Sequence, residues 1–293
     1  MQEPEAKTVT ANAVEFSYLE AGPADGPLAL CLHGFPDSAH TWRYLLPALG
    51  EAGYHAVAPW MRGYAPTAIP ADGRYQTGAL AADANALHQA LGGGGDAVLI
   101  GHDWGAAAVT GAAVHQPERW RRVVTLAVPP LGAVASSFFT FAQLKRSFYI
   151  FIFQTPLAET AVSIDHHAFL DGLWADWSPG YDGSWDVAKV KEAIGSPENL
   201  AAAIGYYRAM FDPALHDAGY EEAQAATAGM PPQPTLYLHG ADDGCLAIDA
   251  IGDVLPFLSE GSEQVTVARS GHFLQVEQPD EVNGHILRFI GTA

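Results

Sequence analysis

Apolar positions along the chain form short continuous runs, and segments with helical spacing separate these runs. The continuous apolar runs are LALCLHG, YHAVAPW, DAVLIGHD and RRVVTLAVPP. The segments of helical spacing between them are TWRYLLPALGEAG, GALAADANALHQALG and WGAAAVTGAAVHQP. Continuous apolar runs are typical of parallel strands that are buried on both faces. The alternation therefore predicts an α/β fold whose sheet is mostly parallel and doubly wound.

This alternation is interrupted near residue 131. It returns with PTLYLHGADD and EQVTVARSG as further strands and DEVNGHILRFIG as a closing helix, while KTVTANAV and EFSYLEAG predict two opening strands. The intervening sequence is mostly helical in pattern and rich in aromatic residues. We interpret residues 1–132 and 230–293 as one core and residues 133–229 as a helical cap inserted over the carboxyl ends of the strands, where open α/β sheets bind ligands.

Composition narrows the possible partners. The chain has 293 residues, of which 49% are hydrophobic, and this is enough for a sizeable core. Its 14 Lys and Arg residues face 33 Asp and Glu residues, giving a formal charge of −19. Such a surface repels phosphate backbones and anionic lipids, so we expect no nucleic-acid or membrane partner.

Two features bear on the compartment. The two cysteines are too few for a disulfide framework, and MQEPEAKTVT lacks the apolar segment of a secretory signal. The stretch from Val123 to Leu144 is uncharged and long enough to span a bilayer, but Pro129 and Pro130 interrupt it. We interpret it as a strand that runs into a loop, and we expect a cytoplasmic protein.

The first candidate for chemistry is Asp103 in the sequence Gly101-His102-Asp103-Trp104-Gly105. This is the G-x-nucleophile-x-G spacing that exposes a nucleophile on a sharp turn from strand to helix. The following helix N-terminus favours the ionised carboxylate. An aspartate that only caps the helix is the alternative, but the two flanking glycines favour a nucleophile.

Two further residues follow Asp103 in the sequence, first an acid and then a base. His272 follows Gly271 at the exit of the last strand, and imidazole is a suitable general base near neutral pH. Asp243 follows another strand and is the favoured partner to orient the imidazole. Its neighbour Asp242 remains the rival, and His102 is interpreted as a residue that either supports the site from outside it or only packs.

An oxyanion site needs backbone N–H groups. We expect one from Trp104, directly after Asp103, and one from Phe35 in the HGFPD turn, because Pro36 has no N–H. The sequence has no His and Cys cluster with zinc spacing and no phosphate-binding glycine pattern, so no metal or organic cofactor is expected.

These motifs resemble those of the epoxide hydrolases that have the α/β-hydrolase fold. The elbow around Asp103 is similar to the aspartate elbow of that family, and the turn at His33, Gly34, Phe35 and Pro36 is similar to its HGxP oxyanion turn. One departure is Trp60, which stands where the family usually has an aspartate. The resemblance implies an oxyanion or substrate-binding site that includes His33, Phe35 and Trp104.

Two motifs in the predicted cap strengthen the resemblance. Tyr149, Phe153 and Gln154 fit the family pattern Y-x-x-x-F-Q, and Tyr207-Arg208 is similar to the second cap tyrosine motif. The resemblance implies that Tyr149 and Tyr207 donate hydrogen bonds to the oxirane oxygen. Tyr206, beside the second tyrosine, is expected to pack only.

The activity implied is hydrolysis of an epoxide to a vicinal diol. Asp103 attacks an epoxide carbon and forms a covalent ester, and water activated by His272 then hydrolyses that ester. The cap aromatics favour a small apolar or aryl epoxide as the substrate. Whether the protein is a homodimer stays open.

Three alternatives remain. Haloalkane dehalogenases share the Asp-Trp elbow, and the Trp104 indole could bind a halide, but Phe35 stands where they usually have a polar residue. A non-catalytic ligand-binding homologue would not need to keep every one of these side chains. A serine esterase lacks support because the elbow has no serine.

Overall fold

An eight-stranded sheet lies at the centre of the computed structural model, which describes residues 6–135, 137–291 and 293. In chain order the strands are β1 (Lys7–Ala11), β2 (Val14–Ala21), β3 (Leu28–Leu32), β4 (His55–Pro59), β5 (Ala97–His102), β6 (Trp120–Leu126), β7 (Thr235–Gly240) and β8 (Glu263–Val267). Their order across the sheet is β1-β2-β4-β3-β5-β6-β7-β8. The pairs β1–β2 and β2–β4 are antiparallel, and the other neighbours are parallel.

Helices flank this sheet and fill the segment between β6 and β7. Those before β6 are α1 (Leu45–Glu51), α2 (Thr77–Ala90) and α3 (Trp104–His115). Those between β6 and β7 are α4 (Leu131–Val134), α5 (Phe141–Arg146), α6 (Phe148–Ile152), α7 (Ala158–Trp177), α8 (Ser184–Ile194), α9 (Pro197–Phe211) and α10 (Glu221–Ala226). The last are α11 (Ile248–Ile251), α12 (Leu274–Glu277) and α13 (Pro279–Ile290). Short 3-10 turns lie at Ala39–Trp42, Pro117–Arg119, Pro213–Leu215, Ala218–Tyr220 and Leu255–Phe257.

The central strands explain why the apolar runs are continuous. Every residue of β3, β4, β5 and β7 is buried, because helices cover both faces of the parallel part of the sheet. The predicted α/β class, with a mostly parallel sheet, is confirmed. One helix is shorter than predicted: the segment TWRYLLPALGEAG begins in a 3-10 turn, and α1 starts at Leu45. Pro47 lacks an N–H and fits only the first turn of an α-helix, which fixes this start.

The segment from β6 to β7 contains no strand among its described residues. The uncharged stretch after Val123 divides as expected, because β6 ends at Leu126 and the short helix α4 begins after Pro130. Within the described residues, no helix has both the length and the apolar character needed to cross a membrane. The expected lack of a signal segment falls partly on residues 1–5, which lie outside the described residues.

Candidate active site

Asp103 occupies the sharp turn between β5 and α3. Its backbone has a φ of +52°, a strained conformation for a residue with a side chain, and strain of this kind is concentrated at functional sites. A Cβ atom on Gly105 would lie 2.1 Å from the Leu32 carbonyl oxygen, and one on Gly101 would lie 2.3 Å from the Gly105 carbonyl oxygen. Only glycine therefore allows β5, β3 and α3 to meet this closely.

The turn after β3 lies directly against the Asp103 side chain. The Phe35 backbone N–H donates a hydrogen bond of 2.8 Å to Asp103 Oδ1, and a Cβ on Gly34 would lie 2.3 Å from Asp103 Cβ. Trp104 is the first residue of α3, so its backbone follows the carboxylate immediately. Both backbone positions expected for an oxyanion site are thus next to Asp103.

His33 supports this turn from behind. The Met61 N–H donates to His33 Nε2 at 3.0 Å, and His33 Nδ1 lies 2.9 Å from the Gly34 carbonyl oxygen. Burial lowers the pKa of His33 to about 4, so the ring is neutral and Nδ1–H is the donor. Its side chain does not line the cavity at Asp103; its two ring hydrogen bonds are to backbone groups, and its ring packs edge-on against Tyr64.

His272 lies between two carboxylates. Its Nδ1 is 3.0 Å from Asp243 Oδ2, and its Nε2 is 3.7 Å from Asp103 Oδ2. Asp243 is held in turn by the N–H groups of Cys245 and Leu246, which donate to Oδ1 at 2.7 and 2.9 Å. Asp242 is exposed, so Asp243 is the member of the pair that the structure brings to the imidazole.

Charge couples these three buried groups. Burial opposes the imidazolium, but Asp243 and Asp103 outweigh it and raise the pKa of His272 to about 10. Burial likewise opposes both carboxylates, yet the His272 cation holds the pKa of Asp103 and of Asp243 below the usual range. The free protein therefore contains one imidazolium between two carboxylates at neutral pH.

Two buried tyrosines from α6 and α9 line the same cavity as Asp103. The rings of Tyr149 and Tyr207 lie 5.5 Å apart, and each also packs against the Phe35 ring. The Tyr149 hydroxyl is 3.7 Å from Cys245 Sγ, while the buried Tyr207 hydroxyl makes no well-formed hydrogen bond to the described residues. Burial raises the pKa of both tyrosines well above 10, so both keep their protons.

Tyr206 faces elsewhere. Its hydroxyl donates to the Arg62 carbonyl oxygen at 2.8 Å, and its ring packs on Tyr64 and Tyr75. It is absent from the cavity lining, as a residue that only packs would be.

The cavity at Asp103 has a volume of about 340 Å³. One wall follows a single face of α3 through Asp103, Ala106, Ala107 and Thr110, which are spaced three, four and seven residues along the helix. Much of the remaining lining is apolar and comes from Val128, Leu131, Phe138, Ile150, Met210 and Leu246. Within the described part of the chain, no group of three or more His, Cys, Asp or Glu side chains could hold a metal ion.

Two site neighbours carried no signal in the sequence. Cys245 lines the cavity beside the Tyr149 hydroxyl, and the Trp177 ring lies 5.1 Å from the His272 ring and 5.0 Å from the Tyr149 ring. His102, interpreted as a supporting or packing residue, contacts the His272 carbonyl oxygen through Nε2 at 2.9 Å. These contacts join segments far apart in the chain, and no local spacing encodes them.

Comparisons with known proteins agree with this architecture. A family model described as the alpha/beta hydrolase fold matches residues 27–279. Epoxide hydrolase A from Mycobacterium tuberculosis is 31% identical to this chain, over 99% of the chain and 98% of that protein. The crystal structure of epoxide hydrolase A from Mycobacterium thermoresistibile superposes with a TM-score of 0.75 at 27% identity, covering 98% of both chains. The chain therefore belongs to the epoxide hydrolase family of the α/β-hydrolase fold.

A further solved structure shows the same fold. The Bacillus megaterium epoxide hydrolase in complex with an inhibitor superposes with a TM-score of 0.82 at 24% identity, covering 97% of this chain and 99% of that chain. The family resemblance drawn from the motifs is confirmed.

Proposed function

We propose that this protein hydrolyses epoxides to vicinal diols, with Asp103 as the nucleophile. The observation that carries the proposal is that two protonated tyrosine hydroxyls, from Tyr149 and Tyr207, share one cavity with the Asp103 carboxylate. A carboxylate on one side and proton donors on the other are what opening of a strained C–O bond requires. Relatives named epoxide hydrolases support the same activity.

In the first step, an Asp103 carboxylate oxygen attacks one epoxide carbon. A C–O ester bond forms, the oxirane C–O bond breaks, and its electron pair stays on the oxirane oxygen. Tyr149 and Tyr207 donate hydrogen bonds to that oxygen and stabilise its developing negative charge. The high pKa of both hydroxyls supports this role, because each remains a donor at any working pH.

In the second step, His272 removes a proton from water, and the water oxygen attacks the ester carbonyl carbon. Asp243 orients the imidazole and stabilises its positive charge. The N–H groups of Phe35 and Trp104 stabilise the oxyanion, which then collapses: the ester C–O bond breaks, its electron pair goes to the departing oxygen, and His272 passes its proton to that oxygen. The second water proton, from the hydroxyl added to the carbonyl carbon, passes to the former oxirane oxygen, so Asp103 is again a carboxylate and a neutral diol leaves. The 2.8 Å contact from Phe35 to the Asp103 carboxylate supports this assignment.

The helices between β6 and β7 supply both tyrosines, and this supports residues 133–229 as the cap over a core of residues 1–132 and 230–293. The apolar lining favours an apolar or aryl epoxide. No cofactor takes part in either step.

The test removes the two hydroxyls and keeps the rings. We expect Tyr149→Phe and Tyr207→Phe each to slow diol formation from styrene oxide by about 10² to 10³-fold, and the double variant to abolish it. Tyr206→Phe is the matched control, since its hydroxyl faces Arg62. Near wild-type epoxide opening by the double variant would refute the proposal. Halide release from a primary alkyl halide, unaffected by the double change, would instead favour a haloalkane dehalogenase.

A further inference from the structure

Three consecutive backbone N–H groups around His272 are each held by a separate acceptor. The Gly271 N–H donates to Glu277 Oε2 at 2.8 Å, the His272 N–H to the Trp177 carbonyl oxygen at 2.9 Å, and the Phe273 N–H to Ser178 Oγ at 3.2 Å. The Ser178 hydroxyl also donates to Glu277 Oε1 at 2.6 Å. Trp177 and Ser178 at the end of α7 and Glu277 at the end of α12 therefore form one hydrogen-bonded network around the loop that carries His272. We call these three residues the bracket.

The same bracket contacts the loop that carries Asp243. The Trp177 carbonyl oxygen accepts a second hydrogen bond, from the Gly244 N–H at 3.0 Å. A Cβ on Gly244 would lie 1.9 Å from the Asp176 carbonyl oxygen, and one on Gly271 would lie 2.4 Å from the Trp177 carbonyl oxygen. Both loops thus need glycine where α7 ends, and α7 fixes the distance between His272 and its carboxylate partner.

Ring packing continues this arrangement. The Trp174 ring stacks on the Phe273 ring at 3.4 Å, and Trp174 Nε1–H donates to the Pro36 carbonyl oxygen at 2.8 Å. One helix end therefore contacts the loop of His272, the loop of Asp243 and the turn that carries Phe35.

We propose that Ser178 and Glu277 are positioning residues for His272, and that they act on the ester-hydrolysis step alone. This inference rests on the proposed function, in which Asp103 is already a carboxylate and attacks the epoxide without a general base. A displaced imidazole then leaves alkylation intact and slows only the attack of water. Ser178→Ala removes the acceptor of the buried Phe273 N–H and breaks the link to Glu277.

The experiment separates the two steps in time. Enzyme in excess is mixed with styrene oxide, quenched in acid, and weighed intact by mass spectrometry, so that adduct growth reports alkylation and adduct decay reports hydrolysis. For Ser178→Ala we expect about 10-fold slower decay with growth within about twofold of wild type, since displacement of a reacting group by a fraction of an ångström has effects of this order. Ser178→Thr, which keeps the hydroxyl, should restore the decay rate.

Ser262→Ala is the matched control, because Ser262 Oγ also accepts a backbone N–H, that of Thr235 at 2.9 Å. That contact lies where β7 and β8 begin, whereas His272 follows the end of β8. Glu277→Gln provides a second variant should Ser178→Ala fail to fold. Equal slowing of growth and decay, or decay no slower than in Ser262→Ala, overturns the positioning role. A lack of adduct in both wild type and His272→Gln overturns the proposed function itself, and with it this inference.

Discussion

Formation of the ester should lower the pKa of His272. The imidazole then becomes neutral and can act as the base in hydrolysis of that ester. In the free protein the Asp103 carboxylate helps to keep His272 protonated, with a pKa raised to about 10. An imidazolium cannot accept a proton from water. The ester is neutral, so alkylation removes this charge. Asp103→Asn imitates that change without any substrate, since an amide has nearly the shape of the carboxylate and no charge.

The geometry gives the size of the effect. His272 Nε2 and Asp103 Oδ2 lie 3.7 Å apart, and both groups are buried. At an effective dielectric constant of about 20, two unit charges at this distance attract by about 4 kcal/mol. That energy corresponds to about three powers of ten in proton affinity. The pH of half-protonation of His272 should therefore fall from about 10 in wild type into the neutral range in Asp103→Asn.

Nitrogen-15 NMR of the imidazole rings can measure this directly. The chain has 12 histidines, and the His272→Gln spectrum identifies the signals of His272. His33 is the internal control, because its pKa is lowered to about 4 by burial and both of its ring nitrogens contact backbone groups. It should stay neutral above pH 5 in both proteins. A shift of less than one pH unit in the pH of half-protonation of His272 would refute the idea that alkylation makes this imidazole neutral.

Three other predictions test the nucleophile, the charge of His272 and the buried ion pair between Arg62 and Asp83. In a single turnover in heavy-oxygen water with enzyme in excess, the first diol should carry an unlabelled oxygen from Asp103, and full labelling of that diol would mean direct attack by water. Because the pKa of His272 is raised in the folded state, its protonation stabilises the fold below about pH 6.5, and this contribution is lost as the pH rises toward about 10. Urea unfolding of wild type should show this loss, and His272→Gln should lack it; equal pH dependence in both proteins would contradict the assignment. Arg62 is fully buried and contacts Asp83 through Nε and Nη2 at 2.5 and 2.6 Å, so Asp83→Asn should lower the free energy of unfolding by about 3 kcal/mol, and a loss under about 1 kcal/mol would contradict a buried ion pair.

Local patterns accounted for the sheet and for the turn at Asp103. Burial of a strand on both faces shows directly as an apolar run, and the spacing of Gly101 and Gly105 reflects close contacts between neighbouring elements. The sequence favoured Asp243 but kept Asp242 as its rival, because adjacent residues have the same local pattern. The conformation of the loop brings Asp243 to His272.

The function of other side chains depends on contacts across the fold. His33 belongs to the expected oxyanion motif, yet its ring stabilises the turn through Met61, a residue in a different loop. Trp177 and Ser178 contact a loop about 95 positions further along the chain, and no period in the sequence relates segments so far apart. Such pairs become visible only once the strands have fixed where each loop lies.

The bracket at the end of α7 also limits how this enzyme can be recombined with its relatives. Exchange of the proposed cap, residues 133–229, is an obvious route to new substrate ranges. Such a chimera would replace Asp176, Trp177 and Ser178, whose backbone and side-chain atoms fit against Gly244 and Gly271 of the recipient core. A donor cap without this fit would leave two core loops without their acceptors. Grafts that keep residues 174–178 from the recipient, and exchange the rest of the proposed cap, should retain turnover more often than exchanges of the whole segment 133–229.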